Sequence, residues 1–377
     1  MRIVVNDIAA SKTGALSVLK DFYNFIKRDE NRYTVSDEKK EALEWIFLLS
    51  DCYLEETENI QVRVLPEIKK SRKNRLLFDL YDGGGYIMSL KPDVYFSLQN
   101  TLAGKVRCRT VLYVHQPLCF QNVKNFSFFK AEEREYAVYQ HIIGKLIYSS
   151  IKRADKTIVQ TEWMKKEIIR RTGISSDRIC KITPDIIIPD TLSPSGYKIP
   201  EITEFFYPSG VMLYKNHACV IRASDLLISE GIRNFRIIFT VTEDELRQLY
   251  RGDINDNIIC AGSLPREKVL ESYREKTLIF PSYIESFGYP PAEARSLGGL
   301  VFASDTPACR EVLSGYSRAF FFDPFNPEEL KELMKRKILG ELNEPLSPSP
   351  ESHWYPNGDF KKPESWQLVL NELVRST

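Results

Sequence analysis

An excess of charge of either sign is missing from this sequence. Its 52 lysines and arginines face 51 aspartates and glutamates, a net +1. A balance this even lacks the electrostatic footprint of a nucleic-acid binder. No run of about 18 apolar residues occurs, so no segment reads as a membrane-spanning helix. The opening Met1-Arg2-Ile3-Val4-Val5-Asn6-Asp7 has neither the apolar core nor the small-residue cleavage site of a signal peptide. Histidine is scarce, with four in the chain, and the seven cysteines (52, 108, 119, 180, 219, 260, 309) form no C-x-x-C pair. That scatter argues against a zinc site or a disulfide framework and points to a reducing, cytoplasmic setting. What remains is globular in composition: 43% apolar and 27% charged over 377 residues, a length that suits two domains rather than one core.

Short apolar runs alternate with amphipathic stretches. Arg2–Val5, Trp45–Leu49, Ile60–Val64, Asp93–Ser97, Thr110–Val114 and Lys156–Gln160 read as strands. Leu16, Leu19, Phe22, Phe25 and Ile26 fall on one helical face. Leu76–Met88 and Lys130–Ile151 read as helices, and Trp163–Arg171 as a helix stopped by Gly173. Then Pro184, Pro189, Pro194 and Pro200 break the pattern, and the domain linker is expected there. The alternation restarts with strands at Phe205–Tyr207, Phe235–Val241, Ile258–Ala261, Leu278–Phe280 and Val301–Ala303. Helices are expected at His217–Ser229, Glu267–Arg274 and Ala292–Leu297. Such alternation predicts an α/β protein with two doubly wound domains and parallel sheets covered on both faces. The expected boundaries are 1–188 and 203–345, with a further helix expected on the apolar positions Trp366, Leu368, Leu370 and Leu373. In open parallel sheets ligands bind beyond the carboxyl ends of the strands, so a cleft between two facing domains is the expected site.

Two other runs invite a functional reading. Asp82-Gly83-Gly84-Gly85 lacks G-x-G-x-x-G spacing and does not follow a strand, so it reads as a flexible break in a helix rather than a phosphate loop. Lys69-Lys70-Ser71-Arg72-Lys73-Asn74-Arg75 reads either as a solvated turn or as a contact with anionic lipid head groups.

The chemistry concentrates in Phe280-Pro281-Ser282-Tyr283-Ile284-Glu285-Ser286-Phe287-Gly288-Tyr289-Pro290-Pro291-Ala292-Glu293-Ala294. A strand ends, a loop carries Glu285, Gly288 permits close backbone approach, and prolines open a helix that holds Glu293. A helix N-terminus behind a glycine attracts anions, and Ser286, Phe287 and Gly288 can aim N–H groups at a phosphate. The two carboxylates would repel that phosphate unless they bind hydroxyls. The pattern fits a ligand with phosphate in the middle and polyols at both ends, as in a nucleotide sugar. Glu293 would take the ribose hydroxyls and Glu285 the sugar.

This E-x7-E segment resembles the signature of the retaining family-four glycosyltransferases of the GT-B fold, two facing Rossmann-like domains with an interdomain cleft. The resemblance implies that a C-terminal helix at 363–377 rejoins the 1–188 domain, and it implies a role for further residues. Lys215, in Met212-Leu213-Tyr214-Lys215-Asn216-His217, resembles the lysine that holds the donor diphosphate. Its charge would stabilise the leaving group. The family's usual arginine five residues earlier is Gly210 here, so half of the cationic clamp is absent from its usual place. Gly14 resembles the glycine of the loop after the first strand. His115 occupies the position of a histidine that contacts the donor sugar or its phosphate, and Leu264 that of an apolar contact to the base.

The resemblance implies a hexosyltransferase-type enzyme that uses a UDP-, GDP- or dTDP-sugar. A glycan or polyprenyl-linked acceptor would receive the sugar in bacterial surface polysaccharide synthesis, with peripheral contact at the inner face of the plasma membrane. No D-x-D motif is present, so no metal or other cofactor is expected. Two alternatives stay open: a non-catalytic protein that binds nucleotide sugar and supports a partner enzyme, and a GT-B sugar-nucleotide epimerase.

Overall fold

The computed structural model describes residues 1–10, 13–28, 34–36, 39–189, 202–342 and 365–375. The chain divides into two compact units. The first comprises Met1–Phe120, Val138–Pro184 and Lys361–Thr377; the second comprises Gln121–Ala137 and Asp185–Phe360. The switch at Pro184 falls at the head of the proline run, of which Pro194 and Pro200 lie outside the described residues. The excursion of Gln121–Ala137 into the second unit departs from the expected 1–188 boundary. No composition change marks that excursion in the sequence.

In the first unit, β1 (Arg2–Asn6), β2 (Glu44–Leu49), β3 (Ile60–Val64), β4 (Val94–Ser97), β5 (Arg109–Val114), β6 (Lys156–Val159) and β7 (Ile179–Lys181) form one sheet. Its order is β3-β2-β1-β4-β5-β6-β7 and every pairing is parallel. The strands are apolar almost throughout because helices cover both faces. One face carries Leu19, Phe22 and Phe25 of the Thr13–Arg28 helix together with Val369, Leu370 and Leu373 of the Ser365–Val374 helix. Trp366 packs 4.9 Å from the Phe22 ring, and Arg109 Nη2 donates to the Glu372 carbonyl at 2.8 Å. Among the elements covering the other face are Ile147 and Ile151 of the Gly144–Arg153 helix, and Met164 and Ile168 of Glu162–Thr172. Gly173 ends the latter helix at φ +69°, the left-handed region that glycine adopts at little cost.

Two expected helices are interrupted by wider π-type turns. Helix begins at Arg72, runs through a π turn at Phe78–Asp82 and continues to Ser89. The expected 130–151 helix begins at Arg134 and contains a second such turn at Tyr139–Ile143. The first π turn corrects the reading of the glycine run. Gly83–Gly85 are helical rather than a flexible break. A Cβ on Gly84 would stand 1.6 Å from the Gly104 carbonyl oxygen, so glycine is what lets this helix lie against the Gly104 loop. The Gly104 N–H completes the contact by donating to the Asp79 carbonyl at 2.8 Å.

The second unit repeats the plan with β8 (Thr203–Tyr207), β9 (Phe235–Phe239), β10 (Ile258–Cys260), β11 (Thr277–Phe280), β12 (Val301–Ser304) and β13 (Ala319–Phe322). The order is β10-β9-β8-β11-β12-β13, again all parallel. Phe205, Phe239, Leu278, Phe280 and Phe302 fill its core. Both sheets therefore follow the doubly wound order in which the strand sequence reverses beside the first strand. That reversal opens a crevice at the carboxyl ends, which here means β1 and β4 in one unit and β8 and β11 in the other.

Candidate donor site

At the reversal point of the second unit, β8 feeds the loop to Lys215 and β11 feeds the loop to Glu285. Lys215 Nζ lies 2.5 Å from Glu285 Oε1, with side chains 20% and 13% exposed. The cation also lies over the rings of Tyr214 and Phe280, at 5.7 and 5.8 Å from their centroids. The backbone locks the two loops together. The Tyr214 carbonyl accepts from Tyr283 N–H at 3.1 Å and from Ser282 Oγ at 3.3 Å. Tyr207 Oη donates to the Lys215 carbonyl at 2.7 Å. Asn216 adopts the left-handed region at φ +59°, and its Nδ2 donates to Pro281 O at 3.3 Å and Pro324 O at 2.7 Å. Asparagine tolerates that conformation better than most residues, so it suits the end of the turn that carries Lys215.

Gly288 caps the Tyr289–Ser296 helix at φ +92°, ψ 76°, a left-handed conformation that favours glycine. Pro290 and Pro291 carry no N–H, so the donors of this turn are the amides of Ser286, Phe287, Gly288 and Tyr289. Phe287 is buried against Ala292 and Val312, which anchors the turn. Glu293 is buried on the same helix, 2.9 Å from Arg266 Nη1. Burial raises its carboxyl pKa; Arg266 and the Tyr273 hydroxyl pull it partly back. Arg266 opens the helix after the Gly262–Pro265 loop, where Gly262 sits at φ +69° and Leu264 packs on the core. Gly210 is exposed, and a side chain there would meet nothing within 4 Å. Lys215, Glu285, Leu264, Gly210 and the Ser286–Gly288 turn thus all lie in loops or short turns of one unit, and Glu293 lies in the helix that follows.

Gly14 and His115 belong to the first unit. Gly14 is exposed in the first turn of the Thr13–Arg28 helix, and a Cβ there would meet nothing within 4 Å. His115 follows β5, and its N–H donates to Asn100 Oδ1 at 2.8 Å. Burial lowers its pKa to about 4, so the ring is neutral at pH 7. Its Nδ1 is sealed from solvent with no hydrogen-bond partner among the described residues. His217 is also neutral, with its pKa pushed to about 4 by burial and then by Lys215; its ring is packed against Tyr207 and Phe239.

Several groups escaped the sequence reading. Asp7 is buried at the end of β1, and burial raises its pKa to about 7 against the opposing pull of Arg75, the Ala10 amide and Lys69. Lys69, the first residue of the basic run, donates to the Ala9 and Ala10 carbonyls at 2.9 and 3.0 Å. Ser71 caps the following helix by accepting from Asn74 N–H. Arg266 and Tyr136 were also unread. A carboxylate ending a strand at the sheet's reversal point was the available signal for Asp7; Arg266 and Tyr136 had none. Among the described residues no cluster of His, Cys, Asp and Glu could hold a metal ion, and no helix is long and apolar enough to cross a membrane.

Comparison with known proteins agrees with this architecture. Residues 201–348 match the family described as glycosyl transferases group 1. The serotype-specific mannosyltransferase WbdA of Escherichia coli is 24% identical over 212 residues, 51% of this chain. The matched stretch spans 26% of that relative's length. Among solved structures, WaaG, a glycosyltransferase involved in lipopolysaccharide biosynthesis, matches with a TM-score of 0.68 at 11% identity over 99% of each chain. Anabaena HepE in complex with UDP-glucose matches at 0.59 and 14% identity, over 99% of this chain and 95% of that one. The chain has the GT-B fold, and the match to the group 1 glycosyl transferases lies in its second unit and the residues next to it.

Proposed function

We propose that this chain is a retaining glycosyltransferase that moves a sugar from a nucleotide-sugar donor to a glycan or lipid-linked acceptor. One observation carries the reading: Lys215 and Glu285, 70 positions apart, meet 2.5 Å apart at the strand-order reversal of the unit that resembles the group 1 glycosyl transferases. A cation and a carboxylate side by side suit a substrate that is anionic at the diphosphate and turns cationic at the sugar ring during transfer.

In the proposed reaction the bond from the anomeric carbon to the donor phosphate breaks as the acceptor oxygen bonds to that carbon on the same face. The acceptor proton passes to the departing phosphate oxygen. Lys215 and the Ser286–Tyr289 amides take the diphosphate charge without a metal ion. Glu285 steadies the positive ring, and Glu293 receives the ribose hydroxyls. Gly14 and His115 are proposed to serve the acceptor side and the donor sugar. The neutral ring of His115 suits hydrogen bonding rather than charge.

The relatives act in lipopolysaccharide synthesis and mannosyl transfer by their names, which supports surface polysaccharide as the product class. The proposed setting is the cytoplasm, with contact at the inner face of the plasma membrane. Incubation with a panel of UDP-, GDP- and dTDP-hexoses and candidate acceptors, with proton NMR of the product anomer, tests this. A product with inverted configuration refutes retention. Donor binding without transfer to any acceptor favours the non-catalytic partner, and conversion of the donor sugar in the absence of acceptor favours the epimerase.

A further inference from the structure

Lys215 lies in a single 3-10 turn, Leu213–Lys215, and no side chain of the capping residue Met212 supports its start. The first N–H groups of such a turn have no partner within it. The partner of the Leu213 N–H comes from 77 residues earlier in the chain: it donates to Tyr136 Oη at 3.2 Å. The Tyr136 ring stands edge-on to Tyr214, with centroids 5.8 Å apart and planes at 85°. Tyr214 in turn lies beneath Lys215 Nζ. One aromatic residue thus holds the start of the turn by its hydroxyl and the middle by its ring.

Tyr136 is itself anchored. It belongs to Gln121–Ala137, the stretch that groups with the second unit while the chain on either side groups with the first. Phe126 packs 5.1 Å from its ring, and Lys124 lies over Phe126 at 5.5 Å. Glu133, only 4% exposed, gathers the stretch: it pairs with Lys124 at 3.1 Å and Lys130 at 3.5 Å, and accepts from Ser127 N–H at 2.9 Å. A buried carboxylate with three such partners fixes the loop that carries Phe126 and leads into the helix bearing Tyr136.

We propose that Tyr136 is a positioning residue for Lys215: its hydroxyl and ring set the turn from which the lysine meets the donor diphosphate. The inference rests on reading Lys215 as a diphosphate ligand. Tyr136→Phe keeps the ring contacts and deletes one hydrogen bond, so nucleoside diphosphate affinity falls by about threefold to tenfold. The loss acts through Lys215 and therefore vanishes when Lys215 is already gone.

The experiment is a double-mutant cycle on the full chain. UDP, GDP and dTDP binding is measured by calorimetry for wild type, Tyr136→Phe, Lys215→Ala and the double variant. Hydrogen exchange over residues 208–216 is followed without ligand, and thermal midpoints control for folding. The expected result is weaker binding by Tyr136→Phe, no further loss in the double variant, and faster exchange over 208–216 in Tyr136→Phe. Wild-type affinity in Tyr136→Phe, additive losses in the double variant, or unchanged exchange each overturns the positioning role. A wild-type chain that binds none of the three nucleotides refutes the donor-site reading, and the inference with it.

Discussion

The ion pair between Lys215 and Glu285 makes a prediction whose sign is not obvious. The Glu285 carboxylate is paired with the cation proposed to hold the donor diphosphate, and both side chains are largely shielded from water. A nucleoside diphosphate must therefore compete with Glu285. Replacing Glu285 by Gln preserves shape and removes the competing charge. A hydrogen bond to a charged group contributes about 1.5–3 kcal/mol, and an amide oxygen retains roughly half of that. Roughly 0.75–1.5 kcal/mol is released to the ligand, which corresponds to about fourfold to twelvefold tighter binding of the nucleotide.

Turnover moves the other way. Loss of a charge that steadies the transition state costs on the order of 10²–10³ in kcat. Titration calorimetry with UDP and GDP, beside transfer rates on the same preparations, separates the two effects. Equal or weaker nucleotide binding by Glu285→Gln refutes the competition argument. Near-normal turnover refutes the role given to Glu285 at the sugar.

Two further perturbations test other parts of the structure. Asp7 has a folded pKa near 7 against an ordinary 3.8, so the fold favours its protonated form. Its contribution to stability is complete below about pH 4 and disappears as pH rises through about 7. Asp7→Asn flattens that slope, by at most roughly 4 kcal/mol, in thermal melts between pH 4 and 8. Gly84→Ala and Gly85→Ala make a paired test, since a Cβ meets the Gly104 carbonyl at the first position and nothing within 4 Å at the second. The first should cost about 1–3 kcal/mol in chemical denaturation. The second should be neutral or stabilising by about 0.5–1 kcal/mol, as alanine replaces glycine in an exposed helix.

Most strands of both sheets were legible because most are short apolar runs flanked by turn residues, and Phe205–Tyr207 and Leu278–Phe280 fall inside the observed β8 and β11; the three-residue β7 passed unread. β13 passed unread although Ala319–Phe322 is apolar, since nothing in four residues sets its register against β12. The loop carrying Glu285 and the turn at Gly288 were legible because their chemistry is contiguous. The Lys215–Glu285 pairing was not, as it depends on β8 and β11 being neighbours. Asp82–Gly85 was misread because the glycines answer to Gly104, about 20 residues away, rather than to a need for flexibility. Tyr136 gave no signal at all: its partners at the Lys215 turn are 77 and 78 positions distant, and an isolated tyrosine in a helix reads as packing.

The bonds from Tyr283 and Ser282 to the Tyr214 carbonyl, and from Asn216 to Pro281, have a consequence for anyone who would transplant this site. The two loops share their scaffolding, so neither is a portable cassette. Grafting the Pro281–Glu293 segment alone onto another α/β sheet would bring the carboxylates without the frame that aims the lysine. The smallest unit that can be moved, shuffled or redesigned while keeping its geometry is the β8 and β11 pair with both loops attached.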